Sequence, residues 1–179
     1  MSYQDVLNFW FNESGPNQWF AKDAAFDALI RQRFSATHAT CARGERWQWR
    51  DHAAGRLAEV IVLDQFSRNM FRDQPESFAC DPMALVLAQE AVRVGADQAL
   101  PVTQRAFLYL PYMHSESLRV HAEAEHLFAQ PGLEANLKYE RMHKAILERF
   151  GRYPHRNAVL GRVSTAEELA FLQQPGSSF

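Results

Sequence analysis

The sequence predicts an all-α fold of eight or nine helices joined by short turns. Apolar residues recur at spacings of three and four, strand-like alternation is nearly absent, and most glycines and prolines fall between the periodic segments. Short turns between consecutive helices are typical of antiparallel packing. With 179 residues the chain is long enough for a substantial core, and we expect one all-α domain covering residues 1–179.

The composition argues against several classes of protein. The chain is 47% hydrophobic and 22% charged with a net charge of −2, so neither disorder nor binding to nucleic acid or an anionic membrane is expected. No segment approaches the roughly 18 apolar residues of a membrane span, and Asp5 lies where a signal peptide would be basic. Cys41 and Cys80 lack a CxxC spacing and are expected as buried thiols in a reducing compartment. These features favour a soluble, cytoplasmic protein.

The first part of the chain predicts three helices separated by turn residues. Gly15-Pro16 ends the first helix, and Asp23 is a suitable N-cap for the second, whose apolar residues form one amphipathic stripe. Asp73-Gln74-Pro75 stops the third, which is the central helix. The three are expected at Ser2–Asn12, from Asp23 to about Ala42, and from about Arg50 to Arg72.

The second part of the chain predicts five or six more helices. Asp81 and Pro82 suit the N-cap and first position of one helix, which Gly95 closes. Another begins at Pro101, and Pro111 within it removes the hydrogen bond to the carbonyl of Phe107, so a kink or break is expected near residues 112–115. A Thr165–Glu168 capping box begins the last helix. The remaining helices are expected at Ser117–Ala129, Glu134–Phe150, Pro154–Leu160 and Ala166–Gln173.

The central helix turns from apolar to polar along its length. Its sequence from Leu57 is LAEVIVLDQFSRNMFRD, and on a helical wheel Asp64, Arg68 and Arg72 continue the face that is apolar two turns earlier. Gln65 and Asn69 lie beside that face. Three interpretations are open: a face that emerges into solvent, a buried ion-pair network that fixes helix register, or the lining of a pocket. We favour the pocket, because buried charged groups need partners and often mark functional sites.

Two further polar stretches carry residues suited to acid–base chemistry or to anion binding. His114, Ser115 and Glu116 directly follow the helix interrupted at Pro111, and they would serve as acid and base, as metal ligands, or as a hydrogen-bonded closure of the break. Between Arg149 and Asn157, three arginines and a histidine surround a helix start, where free N–H groups favour anions. The alternative is that these arginines neutralise carboxylates and helix C-termini within the protein.

These stretches supply the candidate site. We expect the polar half of the central helix, the break after Pro111 and the helix start at Pro154 to meet at one polar pocket. His121 and His126, five residues apart, are assigned to a solvated face. No metal site and no cofactor are predicted, because no ligand spacing or phosphate-binding glycine loop is present. The catalytic candidates are His114, Glu116 and His155, and the ligand-binding candidates are Asp64, Gln65, Arg68, Asn69, Ser115, Arg149, Arg152, Arg156 and Asn157.

Several long motifs resemble a known bacterial family of unknown function, DUF924. They are LAEVIVLDQFSRNMFRD, ACDPMAL, RAFLYLPYMHSE and RFGRYPHRNAVLGRVSTAEELAFL, and the likeness extends from Val6 to Phe171. The resemblance implies a superhelix of stacked helix pairs similar to tetratricopeptide repeats, and it implies no activity. Two departures are Ser67, where the family usually has Pro, and Tyr153, where it usually has Phe.

Three functional hypotheses follow from these residues. The favoured one is a small-molecule binding protein, extending to an enzyme, for an anionic ligand that bears phosphate or carboxylate. The second is a helical scaffold that binds a peptide or protein partner in a concave groove. The third is that the polar cluster is purely architectural. No nucleophile or metal set is complete, so the sequence assigns neither a reaction class nor an oligomeric state.

Overall fold

The computed structural model describes residues 1–178, and they form an all-helical fold without a strand. This confirms the predicted fold class. None of the helices described is both long and apolar enough to cross a lipid bilayer. The α-helices are α1 (Tyr3–Asn8), α2 (Pro16–Trp19), α3 (Ala24–Ala42), α4 (Ala53–Ile61), α5 (Ser67–Met70), α6 (Asp81–Arg93), α7 (Val102–Met113), α8 (Leu118–Phe128), α9 (Glu134–Phe150) and α10 (Ala166–Leu172).

Local capping chemistry explains where several helices begin. The side chain of Asp23 accepts hydrogen bonds from the backbone N–H groups of Ala25 and Phe26, as its N-cap role predicts. Thr165 and Glu168 form the predicted capping box of α10. At α6 the N-cap is Cys80, one residue before the Asp81 that the sequence indicates.

The central helix is continuous over residues 53–70, because a π-helical turn at Val62–Phe66 joins α4 to α5. Counted in this way, the described helices number nine, within the predicted eight or nine, and they include the short α2, which the sequence did not predict. The helix begins later than expected, because Trp47–Asp51 forms a separate 3-10 turn against it. Gly55 allows that approach, since a Cβ atom there would lie 2.0 Å from the carbonyl oxygen of Trp49.

The sequence prediction is right for the region after Pro111 and wrong for the region after Tyr153. Helix α7 ends at Met113 and α8 begins at Leu118, so the predicted break is confirmed. The helix predicted at Pro154–Leu160 is wrong, because only Pro154–Arg156 forms a 3-10 turn. The Asn157 side chain donates to Ser164 and accepts from Arg162, and these contacts hold the turns that follow.

The chain divides into two compact units. The first consists of Met1–Arg72 and Glu76–Pro111, and its core is rich in packed aromatic rings, including Phe9, Trp10 and Phe66. The second consists of Asp73–Pro75 and the chain from Tyr112 onward. Its core is built on helix α9 and the segment after it, with Ile146, Leu147 and Tyr153 buried and Phe150 and Phe171 packed against them. The tetratricopeptide-like stacking that the resemblance implies is compatible with these helices and stays a prediction.

Candidate functional site

The polar half of the central helix lies in the first unit and is largely buried. Asp64, Gln65 and Asn69 are each at most 5% exposed, so the interpretation of a solvent-facing strip is wrong. Arg68 bridges Asp64 at 3.1 Å, as the spacing of four residues predicts, and it also bonds Asp81 at 2.9 Å. The arginine therefore joins the central helix to the start of α6.

A second ion pair in the first unit fixes the end of the same helix. The carboxylate of Asp27 on α3 accepts hydrogen bonds from Arg72 at 2.6 Å and from the amide of Asn69 at 2.8 Å. Burial alone would raise the pKa of Asp27, but the Arg72 and Asn69 bonds outweigh it and hold the pKa below its ordinary value. The geometry in this unit therefore favours the architectural interpretation, a network that fixes helix register.

A serine–histidine contact in the first unit is also structural. Nε2 of His38 lies 2.8 Å from Oγ of Ser67, and that hydroxyl donates to the carbonyl of Leu63 at 2.6 Å. Because the serine proton is directed at the carbonyl, His38 acts as donor and does not serve as a base for Ser67. Burial also lowers the pKa of His38 below its ordinary value, which favours a neutral ring.

The second unit contains a polar cluster built around the break between α7 and α8. The carbonyl of Met113 accepts from the hydroxyl of Tyr153 at 2.6 Å, and the carbonyl of Ser115 lies 2.8 Å from Nε2 of His121. The helix break leaves these carbonyls without helical donors, and a buried carbonyl needs a partner. Tyr153 and His121 therefore close the break, a role that the sequence offered for His114 and Glu116 as one of three alternatives.

His121 also makes a fully buried side-chain contact with Glu140. The Tyr153 hydroxyl donates its proton to the carbonyl of Met113, and its oxygen lies 3.1 Å from Nε2 of His121. In this second contact Nε2 is therefore the donor. On the other side of the ring, Nδ1 lies 2.5 Å from Oε1 of Glu140, and both side chains are 0% exposed. The assignment of His121 to a solvated face is wrong, whereas His126 is exposed as expected.

Glu116 links the helix break to the segment around Tyr153. Its two oxygens accept from Arg162 at 2.7 and 2.9 Å, and the backbone N–H of Tyr153 donates to one of them at 2.7 Å. Burial alone would raise the pKa of Glu116, but these bonds outweigh it, and the pKa is lowered from its ordinary value. A carboxylate held in this way is a weak proton acceptor, so the geometry favours a structural role for it.

Arg156 brings two of the three predicted stretches together. It is 7% exposed, and its guanidinium donates to the carbonyl of His114 at 2.9 Å. The same group lies over the ring of Tyr153, 4.7 Å from its centroid. His114, Ser115 and His155 are half-buried. The break after Pro111 and the segment after Tyr153 therefore share one cluster of basic side chains.

Histidine rings surround Tyr153 in this cluster. The centroids of the His121, His143 and His155 rings lie 6.4, 5.7 and 5.5 Å from that of Tyr153. Burial lowers the pKa of His143 to about 3; its bond to the Tyr139 carbonyl opposes this, and the neighbouring histidines add to it. His143 is therefore neutral at physiological pH. The described His, Cys, Asp and Glu side chains of residues 1–178 form no group of three that could hold a metal ion.

The side chains of the other predicted ligand-binding residues in the second unit bond to other side chains of the protein. Arg149 pairs with Glu167 at 2.8 Å, and Arg152 bonds Glu168 through two nitrogens, at 2.7 and 2.8 Å. Asn157 is fully buried and bonds Ser164 at 3.0 Å. Arg149 and Arg152 thus tie neighbouring segments to α10.

The structure adds residues to the cluster that the sequence interpretation missed. His121 shares a helical stripe with Ala124 and Phe128, and this spacing would have placed it inside. Glu140 and His143 similarly share the buried stripe of Leu147 on α9. The polar strip of the central helix belongs to the first unit and the histidine cluster to the second, and their convergence on one pocket stays a prediction.

Comparison with known proteins identifies the family. The family model described as "Bacterial protein of unknown function (DUF924)" matches residues 6–176. A solved structure of a protein of unknown function from Agrobacterium tumefaciens is 42% identical and superposes with a TM-score of 0.91, and the match covers 96% of each chain. No curated protein matches the chain. The resemblance seen in the motifs is confirmed, and the chain belongs to the DUF924 family of bacterial proteins.

Proposed function

We propose that the second unit binds a small anionic ligand, one that bears a phosphate or a carboxylate, at the cluster of Arg156, His114 and His155. The observation that carries the proposal is the buried guanidinium of Arg156, which donates to the backbone carbonyl of the half-buried His114 and lies over the Tyr153 ring, with the half-buried His155 preceding it in the chain. A fixed guanidinium recognises the paired oxygens of carboxylate and phosphate, and histidines add donors that gain charge on protonation.

The arrangement narrows the set of residues that would contact such a ligand. Arg68, Arg149 and Arg152 are bound to carboxylates of the protein, so their role is to hold helices. If the site supports a reaction, His114 and His155 are the proton-transfer candidates, because Glu116 is held as a carboxylate by Arg162.

A thermal-shift screen tests this proposal. Inorganic phosphate, phosphorylated sugars and small carboxylic acids are added to the full chain, and a ligand that binds only the folded state raises the melting temperature. At a hundred times the dissociation constant the expected gain is about 2.7 kcal/mol. The variant His155→Gln is expected to lose most of that gain.

His126→Gln is the matched control, because His126 is an exposed histidine on α8 of the same unit. It is expected to keep the full gain. The proposal fails if no compound in the panel stabilises the wild-type chain. It also fails if His155→Gln and His126→Gln respond to the same compound as the wild type does.

A further inference from the structure

Arg162 joins the two halves of the proposed anion site, although the sequence interpretation did not include it among the candidates. Its guanidinium donates to both oxygens of Glu116, at 2.7 and 2.9 Å, and to the backbone carbonyl of Tyr153 at 3.1 Å. Its Nε donates to the side-chain oxygen of Asn157 at 2.9 Å. One side chain therefore contacts the break after α7 and both ends of the 3-10 turn that follows Tyr153.

The 3-10 turn Pro154–Arg156 needs support from outside because it is short and because 3-10 hydrogen bonds have poor geometry. Tyr153 is its N-cap and Asn157 is its C-cap. The N–H of Tyr153 donates to Glu116 at 2.7 Å and its carbonyl accepts from Arg162, so both sides of this backbone unit are fixed. Asn157 is fully buried, which ties the other end of the turn to the interior.

The shape of the guanidinium of Arg162 suits it to this role. Its acceptors are the two carboxylate oxygens of Glu116, the carbonyl of Tyr153 and the amide oxygen of Asn157. A guanidinium offers five N–H donors in a rigid plane, so it can bond all four oxygens at once. A lysine ammonium offers three donors from a single nitrogen and cannot bond four acceptors placed in this way. Replacing Arg162 by lysine would therefore keep the charge and lose part of the arrangement.

We propose that Arg162 is a positioning residue for the anion site, an inference that rests on the ligand binding proposed above. It holds the turn so that Arg156 stays over the Tyr153 ring and donates to the His114 carbonyl. The charge of Arg162 is paired with Glu116, so it acts through Arg156 and does not contact the ligand itself. A guanidinium that is already fixed loses less conformational entropy when a ligand binds, and this raises the affinity.

The variant Arg162→Lys of the full chain tests this role, with inorganic phosphate as the probe. Binding is measured by isothermal titration calorimetry at a temperature where circular dichroism shows that the variant is folded. Arg162→Lys is expected to bind phosphate at least about tenfold more weakly than the wild type. Arg141→Lys makes the same change at an exposed position of α9 and is expected to bind phosphate as the wild type does.

A second measurement needs no ligand and reports on the turn itself. The backbone N–H of Arg156 donates to the Tyr153 carbonyl at 3.1 Å, and the N–H of Tyr153 donates to Glu116. Hydrogen exchange at these two amides, followed by NMR, is expected to be at least about tenfold faster in Arg162→Lys and unchanged within α9. If Arg162→Lys does not fold, the double variant Arg162→Gln with Glu116→Gln takes its place, because it removes the ion pair without leaving one charge alone.

Three results would overturn the positioning role of Arg162. One is a phosphate affinity of Arg162→Lys equal to that of the wild type, and another is equal weakening in Arg162→Lys and Arg141→Lys. The third is unchanged exchange at the amides of Tyr153 and Arg156. A wild-type chain that binds no phosphate counts instead against phosphate as the ligand of the site, and the exchange result then decides whether Arg162 holds the turn.

Discussion

At the scale of single residues, the break between α7 and α8 shows how a main-chain defect recruits side chains. Pro111 predicts an interrupted helix, and interruption leaves carbonyls without helical donors. Tyr153 and His121 supply the missing donors to Met113 and Ser115. Tyr153 is distant in sequence from the break, and His121 lies on the following helix α8, so the sequence located the defect but not the side chains that satisfy it.

Removing the Tyr153 hydroxyl is expected to destabilise the fold. Tyr153→Phe leaves the buried Met113 carbonyl without its donor, and we expect a loss of about 1–3 kcal/mol in urea unfolding followed by circular dichroism. Tyr139→Phe is the matched control, because Tyr139 is 53% exposed and should change stability very little. Equal stability of the two variants would show that the buried hydroxyl contributes nothing.

Glu168 is expected to make stability depend on acid pH. Its bond from Arg152, with that from the Thr165 N–H, lowers its pKa from 4.5 to about 2 in the folded chain. A pKa lowered by folding contributes stability above the unfolded value of 4.5, and that contribution is lost as the pH falls towards about 2. The difference in melting temperature between wild type and Glu168→Gln should therefore be constant down to about pH 4.5 and then shrink.

The control for this pH series is Glu123→Gln, which removes an exposed carboxylate of α8. Its melting temperature should follow that of the wild type throughout. A Glu168→Gln difference that stays constant down to pH 2 would contradict the assigned cause, because the contribution would then not depend on the ionised carboxylate.

At the scale of elements, the central helix has the periodicity that the helical wheel uses, but the wheel did not show which residues bond its charged side chains. Glu59 lies in its apolar half and is 0% exposed, because Arg50 of the preceding 3-10 turn bonds both its oxygens at 2.7 Å. Further along, Arg72 bonds Asp27 of α3. Ion pairs therefore hold the helix at both ends. One partner, Arg50, lies in the preceding 3-10 turn, and the other, Asp27, lies on α3.

Gly55 is expected to be indispensable at the start of this helix. Alanine normally stabilises a helix by up to about 1 kcal/mol relative to glycine. Here a Cβ would lie 2.0 Å from the Trp49 carbonyl oxygen, so we expect Gly55→Ala to destabilise the fold by about 2–3 kcal/mol. Gly15→Ala, where no atom lies within 4 Å of the added Cβ, is the control in the same unfolding assay. A stabilised Gly55→Ala variant would contradict this packing.

At the scale of the whole molecule, positive and negative side chains are nearly equal in number. The 19 lysines and arginines face 21 aspartates and glutamates, and ion pairs are distributed through both units. Such ion pairs hold Arg68, Arg149 and Arg152, which the sequence had offered as ligand-binding residues. Arg156, held by a carbonyl and an aromatic ring, is the residue on which we base ligand binding.

The buried thiol of Cys41 is expected to report opening of the first unit. Cys41 is 0% exposed, and burial raises its pKa to about 12. In the variant Cys80→Ser, Cys41 is the remaining cysteine, so an aromatic disulfide reagent should react with it fully in concentrated urea and negligibly in native buffer. Rapid reaction of the native variant would mean that this unit opens readily.

The sequence by itself determined most of the helices, because capping residues, proline positions and apolar spacing are local properties. It also determined the family, through long motifs. Only the tertiary structure decided which charged side chains neutralise one another, because those pairs join residues such as Asp27 and Arg72, or Glu116 and Arg162, that are far apart in the chain. Burial of His121 and Glu140 could have been read from their helical stripes, but their mutual contact could not, because it depends on how α8 packs against α9.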